Sequence, residues 1–216
     1  MGDSNKLFAK IFLWMFIGLA VTFGVGYYVS INTNMLYNVF KTGSYILLVI
    51  AELVVVIWLS ARIRKMKPMT AKILFIAYSF LTGLTFSSIF VVYELVSIMY
   101  VFGLTSILFL IFGLIGYFTK IDLTKLGTYL VMGLLGIIIV SLINMFIGSE
   151  TLDLGLCIMG IVIFIAYIAY DIQIIKRRLY DIPEEDNLAI YGALQLYLDF
   201  INLFIRLLQL FGKSRD

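Results

Sequence analysis

Long apolar runs alternate with short polar connections along the whole of this 216-residue chain. Judged by length against a hydrocarbon core about 30 Å thick, the pattern predicts seven spanning helices at roughly 7–31, 44–63, 71–94, 97–118, 127–147, 153–175 and 188–211. Polar punctuation separates them. Asn32-Thr-Asn34 and Lys41-Thr-Gly43 mark the first connection, and Arg62, Arg64, Lys65, Lys67, Pro68 and Lys72 the second. Glu94 stands at the third, Lys120, Asp122 and Lys125 at the fourth, and Gly148-Ser-Glu150 at the fifth. The sixth is the longest, from Lys176 through Asp181, Glu184 and Glu185 to Asp186. The expectation is an all-α membrane protein, a seven-helix transmembrane bundle forming one domain over residues 1–216. The N-terminal run is too long for a signal peptide's apolar region and ends in no small-x-small cleavage pattern, so it reads as a retained helix.

Charge turns the pattern into a topology. With the N-terminus in the cytoplasm, the N-terminal arm and the second, fourth and sixth connections face inside, carrying Lys6, Lys10, Arg62, Arg64, Lys65, Lys67, Lys72, Lys120, Lys125, Lys176, Arg177 and Arg178. The other side receives Lys41 and, on the tail, Lys213 and Arg215. Basic residues are retained on the cytoplasmic side of membranes, so the prediction is N-terminus in, C-terminus out, in a plasma membrane. The tail cations run weakly against it.

Composition narrows the function classes. The chain is 62% hydrophobic and 13% charged, which leaves little room for a soluble domain or a nucleic-acid surface. The lone Cys157 offers neither a disulfide framework nor a thiol metal site. Histidine is absent, so any response to pH falls to the carboxylates. No phosphate loop, zinc-protease helix or nucleophile elbow occurs, and the chain is expected to be neither an enzyme nor a holder of a cofactor. An aspartyl hydrolase would want a glycine beside a catalytic aspartate, and neither Asp171 nor Asp199 has one. Ala20 with Gly24, and Gly155 with Gly160, are candidate close-packing positions, though glycine is common in membrane helices in any case.

Two acids stand inside apolar spans: Asp171 near the inner end of the sixth and Asp199 in the seventh. A carboxylate at membrane depth costs several kcal/mol unless paired, wetted or functional. Consecutive spans bring the two plausibly together, with Gln173, Gln195 and Asn202 as polar neighbours; Asn202 follows Asp199 by three residues and shares its face. Two carboxyls in hydrogen-bond reach do not readily ionise together, so they share a proton. Protonated, they clasp two helices; deprotonated, they repel and offer oxygen ligands to a hard cation such as Ca²⁺. The plainer reading is a structural hydrogen bond. Arg62 and Arg64 end the second span on the same side and could pair with Asp171, or simply set topology. Glu52 and Arg206 are a second candidate pair, mostly structural, with the lining of an outer vestibule as the other reading. The loop acids Asp181, Glu184, Glu185 and Asp186 lack the spacing of a Ca²⁺ loop and read as a solvated turn.

Ala169-Tyr-Asp171-Ile-Gln-Ile-Ile175 and Leu196-Tyr-Leu-Asp199-Phe-Ile-Asn-Leu-Phe204 resemble the last two helices of the transmembrane Bax inhibitor motif family, in its short bacterial form. Ser79-Phe-Leu-Thr-Gly83-Leu-Thr is similar to the family's third helix. The resemblance implies a last helix at the centre of the other six and a pH-sensitive Ca²⁺ leak. It implies that Asp171 and Asp199 are the sensor, that the gating arginine is Arg62 or Arg64, and that Glu52 is the family's acid of helix two; Arg206 matches no position of the pattern. Ca²⁺ and H⁺ are then the ions handled, and the lipid bilayer is the medium. The alternative is a non-conducting regulator that binds another membrane protein, a protease or a cell-death factor.

Overall fold

The computed structural model describes residues 2–177 and 185–215, with the side chains of 2–4, 42, 64 and 185 left aside. Eight α-helices run through them: α1 (Gly2–Ser30), α2 (Thr33–Phe40), α3 (Thr42–Arg62), α4 (Pro68–Val92), α5 (Leu95–Phe118), α6 (Leu126–Ile147), α7 (Glu150–Arg177) and α8 (Glu185–Phe211). All but α2 are long and apolar enough to cross a membrane, which makes this an all-α protein with seven candidate spans, as the apolar pattern predicts.

Local chemistry explains the boundaries. Pro68 opens α4 at its first position, where a missing N–H costs nothing. Gly148 stops α6 in the left-handed conformation, φ 69°, with its N–H on the Asn144 carbonyl at 2.7 Å. The first connection contains a short helix that the apolar pattern does not predict, α2, capped by the Asn32 side chain on the Met35 N–H at 3.2 Å. Eight residues with no buried position give too little periodicity to announce a helix.

The chain divides into two compact units. The first holds residues 1–94, 178–197 and 214–216; the second holds 95–177 and 198–213. α8 supplies its N-terminal part to one and its C-terminal part to the other.

In the first unit α1 lies along α4 through small residues. A Cβ on Gly83 would meet the Thr22 carbonyl at 2.9 Å and the Val25 Cβ at 2.8 Å, and one on Gly18 would meet the Phe75 ring at 2.7 Å. Lipid gives no hydrophobic drive to helix pairing, so this close approach supplies it through dispersion. Tyr197 of α8 stacks edge-on against Phe75 and Tyr78. Its hydroxyl lies 2.6 Å from Thr22 Oγ1, which itself donates to the Ser79 carbonyl at 2.9 Å. At the opening of α8, Asp186 pairs with Lys72 at 2.7 Å and Lys10 at 3.5 Å. Asp186, part-exposed in the first turn of α8, ties that helix to the openings of α4 and α1. The acids Asp181 and Glu184 of the sixth connection lie outside the described residues, with Arg178. At the opposite end the tail returns: Arg215 places its N–H on the Val92 carbonyl at 2.8 Å and its guanidinium on the Phe90 carbonyl at 3.0 Å. A cation on the last carbonyls of α4 offsets the negative end of the helix dipole, which gives one tail cation a local use independent of topology.

In the second unit α5 and α6 both pack on α7. A Cβ on Gly116 would fall on the backbone of Ala169, 2.7 Å from its Cα, and one on Gly113 would meet Ile172 at 2.9 Å. Gly127 and Gly133 of α6 admit Tyr170 and Ile163 in the same way. Of the glycines singled out from spacing, Gly24 and Gly155 face open space and only Gly160 is filled, by the stem of Arg206. Small-residue spacing marks a helix that can pack closely without saying which face does so.

The seventh span is the most buried, with 72% of its apolar window covered against 6% for α3.

Candidate functional site

Each half of the aspartate pair comes from an element of the second unit. Buried positions on α7 recur at Gly160, Phe164, Ile168, Asp171, Ile172 and Ile175, one stripe at helical spacing. On α8 Asp199 shares its buried side with Leu203 and Leu207. Two contacts set the register between these helices: Cys157 Sγ on the Arg206 carbonyl at 3.1 Å, and the Arg206 stem on Gly160. Nearer the other end of α7, Asp199 is hydrogen-bonded to Asp171.

Both carboxyls are buried, Asp171 at 6% exposure and Asp199 at 5%. A hydrogen bond between two carboxyls uses a proton on one of them, and such a bond would clasp α7 to α8. Asp199 Oδ2 is buried and has no hydrogen-bond partner among the described residues. Such an oxygen carries a desolvation penalty that a visiting cation or water would relieve. Tyr167, one turn before Asp171, lies beside both acids. The sequence signal for it was the i−4 spacing, easily lost among 14 tyrosines. On the α8 side Phe200 packs against Phe102 and Phe109 of α5, an apolar wall beside Asp199.

The expected polar neighbours do other work. Gln173 donates to the Ile121 carbonyl and accepts from the Leu123 N–H, both at 2.8 Å, and so clamps the α5–α6 connection onto α7. Asn202 donates to the Leu198 carbonyl of its own helix at 2.8 Å. Each satisfies its amide with a nearby backbone group, which spacing arguments overlook. Replacing Gln173 by leucine removes both bonds from a part-exposed connection. The expected cost is about 1 kcal/mol in thermal unfolding, with the pH response of ion flux retained; a flux profile altered as much as stability would place Gln173 in the site after all.

The remaining candidates have surroundings of their own. Glu52, on α3 in the first unit, faces Thr85 Oγ1 at 3.5 Å. Arg206, in the second, bonds Gln209 at 3.1 Å. Arg62 is exposed in the last turn of α3, and the Arg64 side chain lies outside the described residues.

Outside the spans, Asp122 anchors the α5–α6 connection. Its carboxylate accepts from the Thr124 hydroxyl at 2.6 Å, the Thr124 N–H at 3.0 Å and Arg177 at 2.8 Å. These bonds, the Thr124 hydroxyl first, hold its pKa down at about 2. A depressed carboxyl stabilises the fold above its unfolded value and loses that contribution only as pH falls through the folded one. Asp122 therefore keeps its charge throughout pH 5–8. Asp122→Asn is expected to leave the shape of any flux–pH curve in that window unchanged, and a shifted midpoint would refute this.

Comparison with known proteins agrees with this architecture. A family model described as "Inhibitor of apoptosis-promoting Bax1" matches residues 4–216. The inner membrane protein YbhL of Escherichia coli K12 is 41% identical over 96% of this chain and 91% of its own length. A protein of Borreliella burgdorferi is 42% identical over 98% and 94%, and one of Rickettsia prowazekii 36% over 98% and 91%. With the match running from end to end, the chain is a membrane protein of the Bax inhibitor family.

Proposed function

We propose that this protein is a passive, pH-sensitive Ca²⁺ leak in a cell membrane, gated by the proton that Asp171 and Asp199 share. The observation that carries the reading is the buried carboxyl–carboxyl bond, with Asp199 Oδ2 left without a partner. At acidic pH the clasp is closed. As pH rises the proton leaves, two like charges face each other in a poorly solvated site, and the α7–α8 contact loosens to admit cations. Oxygen ligands suit Ca²⁺. Two carboxylates are few for a storage site, and among the described residues no three acids, cysteines or histidines gather; weak binding is what permeation requires. In this reading Arg62 or Arg64 closes the inner end, and no catalytic reaction is assigned to the chain.

Same-side contacts support the proposed orientation, with the N-terminus inside. In the first unit Asp186 joins the openings of α1 and α4, so the arm and the second and sixth connections share a side. In the second, Arg177 meets Asp122, which puts the fourth and sixth connections together. The test is Ca²⁺ flux into liposomes holding the purified protein, stepped through pH and run against Mg²⁺ and Na⁺. The family description favours one other reading, a regulator of a cell-death protein that conducts nothing. Under it, the purified protein passes no Ca²⁺ at any pH.

A further inference from the structure

We propose that the basic end of the first unit binds the phosphate headgroup of an anionic phospholipid, held by Arg62, Lys65 and Lys67, with its acyl chains along α3. The binding stands independently of the Ca²⁺ reading and of the aspartate clasp.

Folding gathers cations at this end and leaves part of their charge unspent. Ile63 is fully buried, and the Met66 carbonyl accepts an N–H from the Asn187 amide of α8 at 2.8 Å. These two anchors pin the α3–α4 connection, on which Arg62, Lys65 and Lys67 are all exposed. A single tight turn over Ile63–Lys65 sets Lys65 three residues after Arg62, on the same side of the chain. Asp186, next to Asn187, takes Lys72 at 2.7 Å and Lys10 at 3.5 Å. The opening of α8 thus collects cations from α1, α4 and the connection, and Asp186 is spent on the first two. Arg62, Lys65 and Lys67 make no hydrogen bond or ion pair among the described residues.

Positive charge alone would do no more than set topology. Two further observations point to a ligand. The first is depth. The chain has two tryptophans, and both stand at this end. Trp58 is one turn before Arg62 and about half exposed, and the Trp14 ring lies 5.8 Å from Lys72 Nζ. Tryptophan favours the headgroup layer, which puts these cations level with lipid phosphates. The second is the surface below them. Ile50, Val54 and Ile57 are each more than half exposed and make one stripe of α3 that runs to the basic turn. A soluble anion would use the cations and ignore the stripe, and a neutral lipid would do the reverse. An anionic phospholipid uses both, and each Lys or Arg near the lipid surface adds about fivefold to its retention.

The test is native mass spectrometry of the full-length protein from detergent, with phosphatidylglycerol or phosphatidylcholine added. Phosphatidylglycerol is expected to stay on the unaltered protein at least about tenfold more than phosphatidylcholine. Lys65→Gln with Lys67→Gln is expected to lower its retention about twenty-five-fold. Lys120→Gln with Lys125→Gln removes the same charge from the exposed α5–α6 connection of the second unit and is expected to leave retention unchanged. All four lysines are exposed, so the fold tolerates both exchanges. Three results would each overturn the proposal. Equal retention of the two lipids would mean apolar contact only, an equal loss in both double variants would mean general charge attraction, and displacement of the lipid by inorganic phosphate would mean a site for a soluble anion.

Discussion

Exchanging either aspartate of the clasp for asparagine is expected to flatten the pH dependence of Ca²⁺ flux. The unaltered protein should pass at least about tenfold more Ca²⁺ at pH 8 than at pH 6. The size follows from electrostatics. Two unit charges 4 Å apart repel by about 4 kcal/mol at an effective dielectric of 20, and each 1.4 kcal/mol moves a two-state equilibrium about tenfold. Asp199→Asn keeps the shape of the side chain but supplies a permanent N–H to Asp171, so the bond no longer depends on a proton. The closed arrangement then persists, and flux stays low at every pH, with a pH 8 to pH 6 ratio under about threefold. Asp171→Asn does the same from the other helix, and the double variant adds nothing further, because the two residues act as one unit. A single variant with the full tenfold response would remove the clasp from the mechanism. A flat but high flux would keep the site and reverse the sense of the gate.

The sequence made the spans legible because a membrane asks so little of it. About 20 apolar residues suffice, and all seven predicted segments coincide with helices to within a few residues. The two acids were legible for the same reason: a carboxylate amid Ile, Leu and Phe has few excuses. What stayed hidden depended on which face of a helix met which neighbour. Gln173 looked like a partner for Asp171, two positions away, but a helix turns 100° per residue and carries it to the α5–α6 connection. Asp186 looked like one more loop acid, since only folding brings Lys72 and Lys10 to it.

Gly116→Ala is expected to be the most damaging single methyl that can be added to the second unit. The new Cβ would land on the backbone of Ala169, 2.7 Å from its Cα and 2.8 Å from its carbonyl carbon. Where a glycine faces a flexible side chain, as Gly133 faces the tip of Ile163, a rotamer change can absorb the intrusion. Backbone has no such freedom, so α5 must back away from α7 along their shared length, including the seat of Ile172 against Gly113. Lost dispersion contacts at such an interface cost about 3 kcal/mol, a fall of about 9 °C in the midpoint of a chain this size. Gly103→Ala, on the same helix but facing open space, is the control; it should change stability by no more than about 0.5 kcal/mol. The displacement also reaches the gate, because Ala169 precedes Asp171 by two residues and both ride on α7. Surviving Gly116→Ala protein should therefore leak more Ca²⁺ at pH 6 than the unaltered protein, where Gly103→Ala does not. Equal midpoints for the two variants would mean that α5 and α7 do not meet at Gly116, and a lowered midpoint with an unchanged leak at pH 6 would separate helix packing from the clasp.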